Sequence, residues 1–174
     1  MFKKIIFGLS LWLFATTLSF GANFDDGYSA IEKGDYKTAF IIFEDLAKKG
    51  DIDAQFALGL MYNNGQGVKQ DYKKAIEWWE KAANQGVAEV QFALGVMYYN
   101  GEGVKQDYFK AKEWYEKAAN QGDIEAQNNL GVMYDNGHGV RQDKKIAKEL
   151  YGKACDGGYQ VGCNNYKILN EQGY

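Results

Sequence analysis

The chain contains no proline, two cysteines and a single histidine in 174 residues. Without proline there is no collagen and no Pro-rich linker, so turns must be made by other means, and 21 glycines are there to make them. No segment is compositionally degenerate and aromatic residues reach 16%, which excludes low-complexity disorder. A lone histidine, His138, cannot furnish the several ligands of a catalytic zinc. Basic residues are also in deficit. The 20 Lys+Arg against 23 Asp+Glu leave a net charge of −3, with a pI near 5.3. That argues against nucleic acid as a partner, which calls for a clustered basic face. What is present, 46% apolar residues, suffices for a sizeable core in one domain or one repeat array.

Residues 1–21 read as an address rather than as structure. Lys3 and Lys4 precede an apolar run from Ile5 to Ala15, and Ser19-Phe20-Gly21 offers small residues at a cleavage site. The alternative is an uncut membrane anchor, but roughly 15 apolar residues fall short of the ~20 that span a bilayer. No cysteine lies near the cut, which argues against a lipoprotein. Cleavage removes two lysines, so 20 − 2 = 18 basic residues face 23 acidic ones and the mature charge is −5. The expectation is a soluble periplasmic or secreted protein, not inserted in the membrane after signal cleavage. In such a compartment Cys155 and Cys163 can hold a disulfide.

The organising fact is a repeat. Gln55-Phe-Ala-Leu-Gly-Leu-Met-Tyr62 returns as Gln91-Phe-Ala-Leu-Gly-Val-Met-Tyr98 and, more loosely, as Gln127-Asn-Asn-Leu-Gly-Val-Met-Tyr134, each time after 36 residues. Residues 51–86 and 87–122 agree at 26 of 36 positions. Each unit reads as two helices. Ala54, Leu58, Met61 and Tyr62 share one face of the first. Gly59, Gly95 and Gly131 each cost about 1 kcal/mol relative to alanine inside a helix, which close approach of the paired helix would justify. The turns Asn64–Val68, Asn100–Val104 and Asn136–Val140 carry Gly-x-Gly, read as backbone geometry needing positive φ. Asp71, Asp107 and Asp143 follow as N-caps. The second helices bury Ala75, Trp78, Trp79 and Ala82, or Ala111, Trp114, Tyr115 and Ala118. Their outer sides carry Glu44–Lys48, Glu77–Lys81, Glu113–Lys117 and Glu149–Lys153 pairs, each worth about 0.2–0.5 kcal/mol. Gly50, Gly86, Gly122 and Gly158 end these helices.

A shortened leading hairpin, aligned by matching Tyr28 with Tyr62, connects its helices two residues more tightly. The expected fold is all-α: an α-solenoid of stacked antiparallel helix pairs wound as a right-handed superhelix. Its units run about 24–50, 51–86, 87–122 and 123–158, followed by a capping helix over 159–172, and together they make a repeat domain over 22–174. One hairpin cannot bury its apolar face alone, whereas stacked neighbours can.

These residues resemble the Sel1-like repeat, a relative of the tetratricopeptide repeat. The pattern Ala-x3-Leu-Gly-x-Met-Tyr-x2-Gly-x-Gly-Val-x2-Asp-x3-Ala-x2-Trp-[Trp/Tyr]-x-Lys-Ala-Ala-x2-Gly starts at Ala54, is nearly complete in two units and decays in the third. A second resemblance, at Lys153-Ala-Cys155 through Cys163, is to the Helicobacter cysteine-rich protein family, whose repeats carry Cys-x7-Cys disulfides. It implies a Cys155–Cys163 bond across the last hairpin. Ala83, Gln91, Ala119 and Gln127 stand at the matching positions upstream. Closing so short a loop stabilises by about 2.5–3 kcal/mol in the chain-entropy model. The alternative, a redox-active pair, has the wrong spacing for Cys-x-x-Cys chemistry.

Relatives in the cysteine-rich family also raise β-lactam binding or weak β-lactamase activity as an alternative. Serine chemistry of that kind needs Ser-x-x-Lys. Ser29, the one serine left after signal removal, is followed by Glu32 in the lysine's place. No catalytic residue, metal or cofactor is therefore assigned, and His138 reads as an exposed loop side chain. The expected function is a noncatalytic, monomeric interaction scaffold holding a protein or peptide ligand in the concave groove. Phe56, Phe92 and Asn128 form one candidate binding row, and Asn63, Tyr99 and Asp135 another, since aromatic rings supply buried area and amides pair with a peptide backbone. Alternatively the phenylalanines pack between adjacent units.

Overall fold

The computed structural model describes residues 21–174, so the signal peptide expected over 1–21 lies, apart from Gly21, outside the described residues. Among them are nine α-helices and no strand: α1 (Phe24–Glu32), α2 (Tyr36–Lys48), α3 (Ile52–Asn64), α4 (Tyr72–Asn84), α5 (Ala88–Asn100), α6 (Tyr108–Asn120), α7 (Ile124–Asn136), α8 (Lys144–Asp156) and α9 (Gln160–Glu171). None of these helices is long and apolar enough to cross a membrane. The fold is an all-α repeat.

Local chemistry sets the helix ends. Asp107 and Asp143 accept the backbone N–H groups of the two residues that follow at i+2 and i+3, and Asp71 accepts that of Lys74 at 3.1 Å. Gly50, Gly86, Gly122 and Gly158 follow the second helices with φ of 96°, 99°, 91° and 91°, a region closed to most side chains. In the Gly-x-Gly turns the second glycine has a further duty. A Cβ on Gly139 would meet the backbone of Tyr108 at 2.8 Å, and one on Gly67 would meet Tyr36.

The chain divides into two compact units, the first running through Lys81 and the second starting at Ala82, inside α4. In the first, Phe43, Leu58 and Met61 are fully buried; in the second, Leu94, Tyr115, Met133 and Leu169 are. Both are assembled by the same notch. The mid-helix glycines lie under an aromatic ring of the following helix: Gly27 under Phe43, Gly59 under Trp79, Gly95 under Tyr115 and Gly131 under Tyr151. A Cβ on Gly131 would stand 2.7 Å from the Tyr151 ring. Only a bare backbone admits the ring.

The notch corrects the register of the leading hairpin. Gly27, not a residue farther back, is the counterpart of Gly59, so Tyr28 cannot match Tyr62. Ala30 does: Asp35 N–H donates to Ala30 O at 2.9 Å, as Asp71 N–H does to Tyr62 O. The connection is therefore shorter by four residues, (71 − 62) − (35 − 30), rather than two. Tyr28, freed of a core role, is exposed.

Side-chain latches tie each pair to the next helix. Gln55 donates to Ala47 O at 3.1 Å, Gln91 to Ala83 O at 2.8 Å and Gln127 to Ala119 O at 3.4 Å. At the corresponding place in the last hairpin Cys155 and Cys163 form a disulfide, with Cα atoms 4.4 Å apart. Of the expected surface ion pairs Glu44–Lys48 forms, at 3.1 Å. Lys81 and Lys117 instead reach over the rings of Trp78 and Trp114, at 3.7 and 3.9 Å. Trp78 is accordingly half-buried, roofed by a lysine rather than by the core.

Candidate functional site

In the second unit, α5 and α7 are the first helices of successive hairpins and leave a cleft between them, floored by α6. Val96, Tyr99 and Asn100 share one face of α5 at i, i+3, i+4 spacing, and Asn129 and Val132 share one of α7. With Tyr115 from α6 they enclose about 160 Å³. A cavity of ~150 Å³ holds a benzene molecule, so this cleft is sized for one apolar side chain. A wider, more open hollow of about 620 Å³ lies between the Gly137–Arg141 turn and the start of α6, beside exposed Phe109.

The polar groups of the cleft are fixed. Asn129 Nδ2 donates to the Tyr115 hydroxyl at 3.3 Å. Burial pushes the Tyr115 phenol well above its ordinary range, against the smaller opposing effect of that bond. Tyr99 is raised too, by burial and then by its neighbour Tyr108. Both hydroxyls are neutral at physiological pH.

Tyr99 is held in an aromatic cluster. Its hydroxyl lies 2.8 Å from His138 Nδ1, and its ring centroid is 5.1 Å from Tyr108 and 6.4 Å from Tyr115. His138 stacks on Tyr108 at 4.7 Å with planes 10° apart. The reading of His138 as an exposed loop side chain is thus corrected: it is half-buried and braces the wall of the cleft. Its stacking partner comes from the preceding hairpin, 30 residues away.

The expected binding rows divide. Tyr99 lines the cleft. Phe92 is half-buried against Tyr115, 5.9 Å between centroids, and in the first unit Phe56 is 36% exposed and leans on Trp79 at 6.4 Å. Both phenylalanines lean on a ring of their own hairpin. Asn128 is corrected outright. It is 4% exposed, and its Oδ1 accepts from Asn165 Nδ2 at 3.0 Å, so it fastens α9 and lines no surface. Asp135 is also spoken for. Lys144 Nζ sits 2.9 Å from its carboxylate, which also bonds the Tyr151 hydroxyl. Asn63 bonds Asn64 at 2.9 Å. The backbone of this second row serves the fold, since Gln70, Gln106 and Gln142 donate to the carbonyls of Asn63, Tyr99 and Asp135 at 2.7, 2.8 and 2.6 Å.

Missing from the expectation was the row between these two: Leu60, Val96, Val132 and Ile168, each 36 residues apart. Leu60 and Ile168 are exposed, 39% and 51%, while Val96 and Val132 line the cleft. Its signal was an aliphatic residue kept at every step, one turn after the phenylalanines.

Among the described residues no group of three or more His, Cys, Asp or Glu is placed to hold a metal. Ser29 lies on α1, in the first unit, and nothing supports the β-lactam alternative.

The model of the Sel1 repeat matches residues 52–87, 88–123 and 124–159. Among solved structures, a Sel1 repeat protein from Oxalobacter formigenes is 38% identical over 74% of this chain and 96% of its own, with a TM-score of 0.66. The protein c5321, a protective antigen of uropathogenic Escherichia coli displaying an SLR fold, is 34% identical over 88% of this chain and 37% of its own, TM-score 0.73. Helicobacter pylori cysteine rich protein B is 25% identical over 83% and 97%, TM-score 0.55. Among curated proteins none matches this chain.

Proposed function

The chain belongs to the Sel1 repeat family, and from that premise we propose that it is an exported, noncatalytic scaffold that binds an extended peptide segment at the α5–α7 cleft. A Sel1 repeat scaffold fits protein–protein interaction; the peptide mode and its place are the further step. One observation carries it. The cleft pairs apolar walls, Val96 and Val132, and two tyrosine rings with the amides of Asn100 and Asn129, within a volume that takes one side chain. Ring and aliphatic walls bury the side chain, while amides at the edge suit the backbone on either side of it. Export is favoured by the disulfide and by the likeness to a cysteine-rich relative, together with the basic-then-apolar opening of the sequence. The working form is a monomer in the periplasm or outside the cell.

Selection of linear peptides by display on residues 22–174 tests this. Selected peptides lose at least about tenfold in affinity with Val96→Asp or Tyr99→Ala, both checked for native helicity by circular dichroism. Peptides that bind either folded variant as well as they bind the parent place the site elsewhere.

A further inference from the structure

Charge is segregated between the helices of the second unit. α5 and α7, which supply the cleft walls, contain Glu89, Glu125 and Asp135 and no lysine or arginine. Their companions α6 and α8 mix lysines with acids, as at Lys112, Lys117, Lys144 and Lys153. Part of the cleft-side charge is cancelled within the fold, since Lys144 pairs with Asp135. Lys112 is taken up by Glu116 at 2.7 Å and does not reach the remaining acids. What remains is placed along the cleft. Glu89, Val96 and Asn100 fall on one stripe of α5, and Glu125, Asn129 and Val132 on one stripe of α7. At the other end Glu102 accepts from Asn100 Nδ2 at 2.7 Å. An acid in a first helical turn complements the helix dipole. That accounts for Glu89 and Glu125 lying near N-termini. It does not account for their shared stripe with the cleft, nor for Glu102, which lies beyond the end of its helix.

We infer that the partner segment is cationic: one apolar side chain seated between Val96 and Val132, with Lys or Arg on both flanks. This rests on the peptide-binding reading above and gives it a chemistry. The spacing follows from backbone geometry. Seven helical residues from Glu89 to Val96 span about 10 Å at ~1.5 Å each. An extended segment covers that in about three residues at ~3.3 Å each. Successive side chains alternate in direction along an extended segment, so the cations that face the same helices as the anchor stand two or four positions from it. Complementary rim charges of this kind chiefly raise association rate and discriminate between partners, and salt screens them.

Three synthetic peptides of one length, each with a central leucine and with Lys, Ser or Glu two and four positions to either side, are titrated into residues 22–174 and into an E89Q/E102Q/E125Q variant. Glutamine keeps the shape of glutamate, and helicity is checked by circular dichroism. At low salt the Lys peptide binds about tenfold tighter than the Ser peptide, the Glu peptide binds weakest, and the triple variant or ~0.3 M salt removes most of that margin. Ser and Glu peptides binding as tightly as the Lys peptide overturn the charge inference and leave the cleft reading standing. Failure of all three to bind overturns the cleft reading itself. A Lys margin that survives the triple variant, or survives Val96→Asp, puts cation capture elsewhere on the molecule and overturns the inference.

Discussion

Cys163 is bonded to Cys155 at the two positions where, one repeat earlier, Gln127 donates its side-chain amide to the carbonyl of Ala119. The same relation holds between Gln91 and Ala83 and between Gln55 and Ala47. A covalent bond and a buried hydrogen bond thus do one job: they fix the start of a first helix to the end of the preceding second helix. The covalent form is used in the last described hairpin, between α8 and α9.

Two variants separate the two latches. Cys155→Ala with Cys163→Ala lowers unfolding free energy by about 2.5 kcal/mol, the chain-entropy value for so short a loop. Cys155→Ala with Cys163→Gln recovers about 1 kcal/mol of it, the net worth of an intramolecular hydrogen bond. Urea unfolding of the three proteins reads both, and equal midpoints for the two variants refute the equivalence. Intact mass before and after reduction with alkylation checks the bond itself.

Gln91→Leu tests the internal latch. It removes the donor to the buried carbonyl of Ala83 and the acceptor that Gln121 Nε2 reaches at 2.8 Å. A loss of about 1 kcal/mol is expected, the net worth of one hydrogen bond, because Gly86 N–H still donates to the Ala83 carbonyl at 3.0 Å. An unchanged urea midpoint would show that water replaces the amide.

Gly95→Ala sets two effects against each other. Alanine gains about 1 kcal/mol of helix propensity. Its methyl, however, would overlap the ring of Tyr115, which is fully buried and cannot swing away. Overpacking costs about 1–3 kcal/mol, so the variant is less stable than the parent. Thermal unfolding decides, and a raised midpoint would mean that the notch has slack.

Burial, first of all, holds the phenols of Tyr115 and Tyr151 above their ordinary value of 10.0. The unfolded chain releases these protons near that ordinary value while the folded chain retains them. The stability they contribute is therefore complete below pH ~10 and drains away as pH rises beyond it. Urea midpoints at about pH 8 and pH 11 should diverge more in the parent than in Tyr115→Phe/Tyr151→Phe. Lys112 and Lys144, raised by hydrogen bonds to Glu116 and Asp135, lose their charge in the same alkaline window and leave the double variant with a residual slope. Equal slopes in the two proteins would show that neither phenol is held in its neutral form.

Much of this architecture is legible in the residues because the repeat compares the chain with itself. Gly59, Gly95 and Gly131 are costly in a helix, so their recurrence points to a neighbour that needs the space, and the rings of Trp79, Tyr115 and Tyr151 are that neighbour. The aspartate caps follow from the same logic. The candidate site is less legible, because its details depend on contacts between helices that sequence spacing does not encode. Asn128 looks like a surface amide until Asn165 of α9 is seen to reach it. His138 sits in a turn whose matching residues are Gln66 and Glu102, and nothing in that pattern announces a stack on Tyr108. Val96 and Val132 are aliphatic residues beside the core, Val132 being packed against the cluster of Ala147, Tyr151 and Leu169, and only the cleft they line sets them apart from ordinary packing residues. Tyr28 misled for a simple reason: the residue that takes the place of Tyr62 is a small alanine, Ala30, which carries no aromatic signature.

The glycine notch also governs how the array could be lengthened. Stepping 36 residues on from Gly131 along α9 leads to Lys167, an exposed side chain 3.8 Å from Glu171. A hairpin grafted behind α9 would bring its aromatic ring onto a charged pair instead of open backbone. Lys167→Gly is therefore the edit an engineer would make before adding a module, because it exchanges a charged side chain at the notch phase for open backbone.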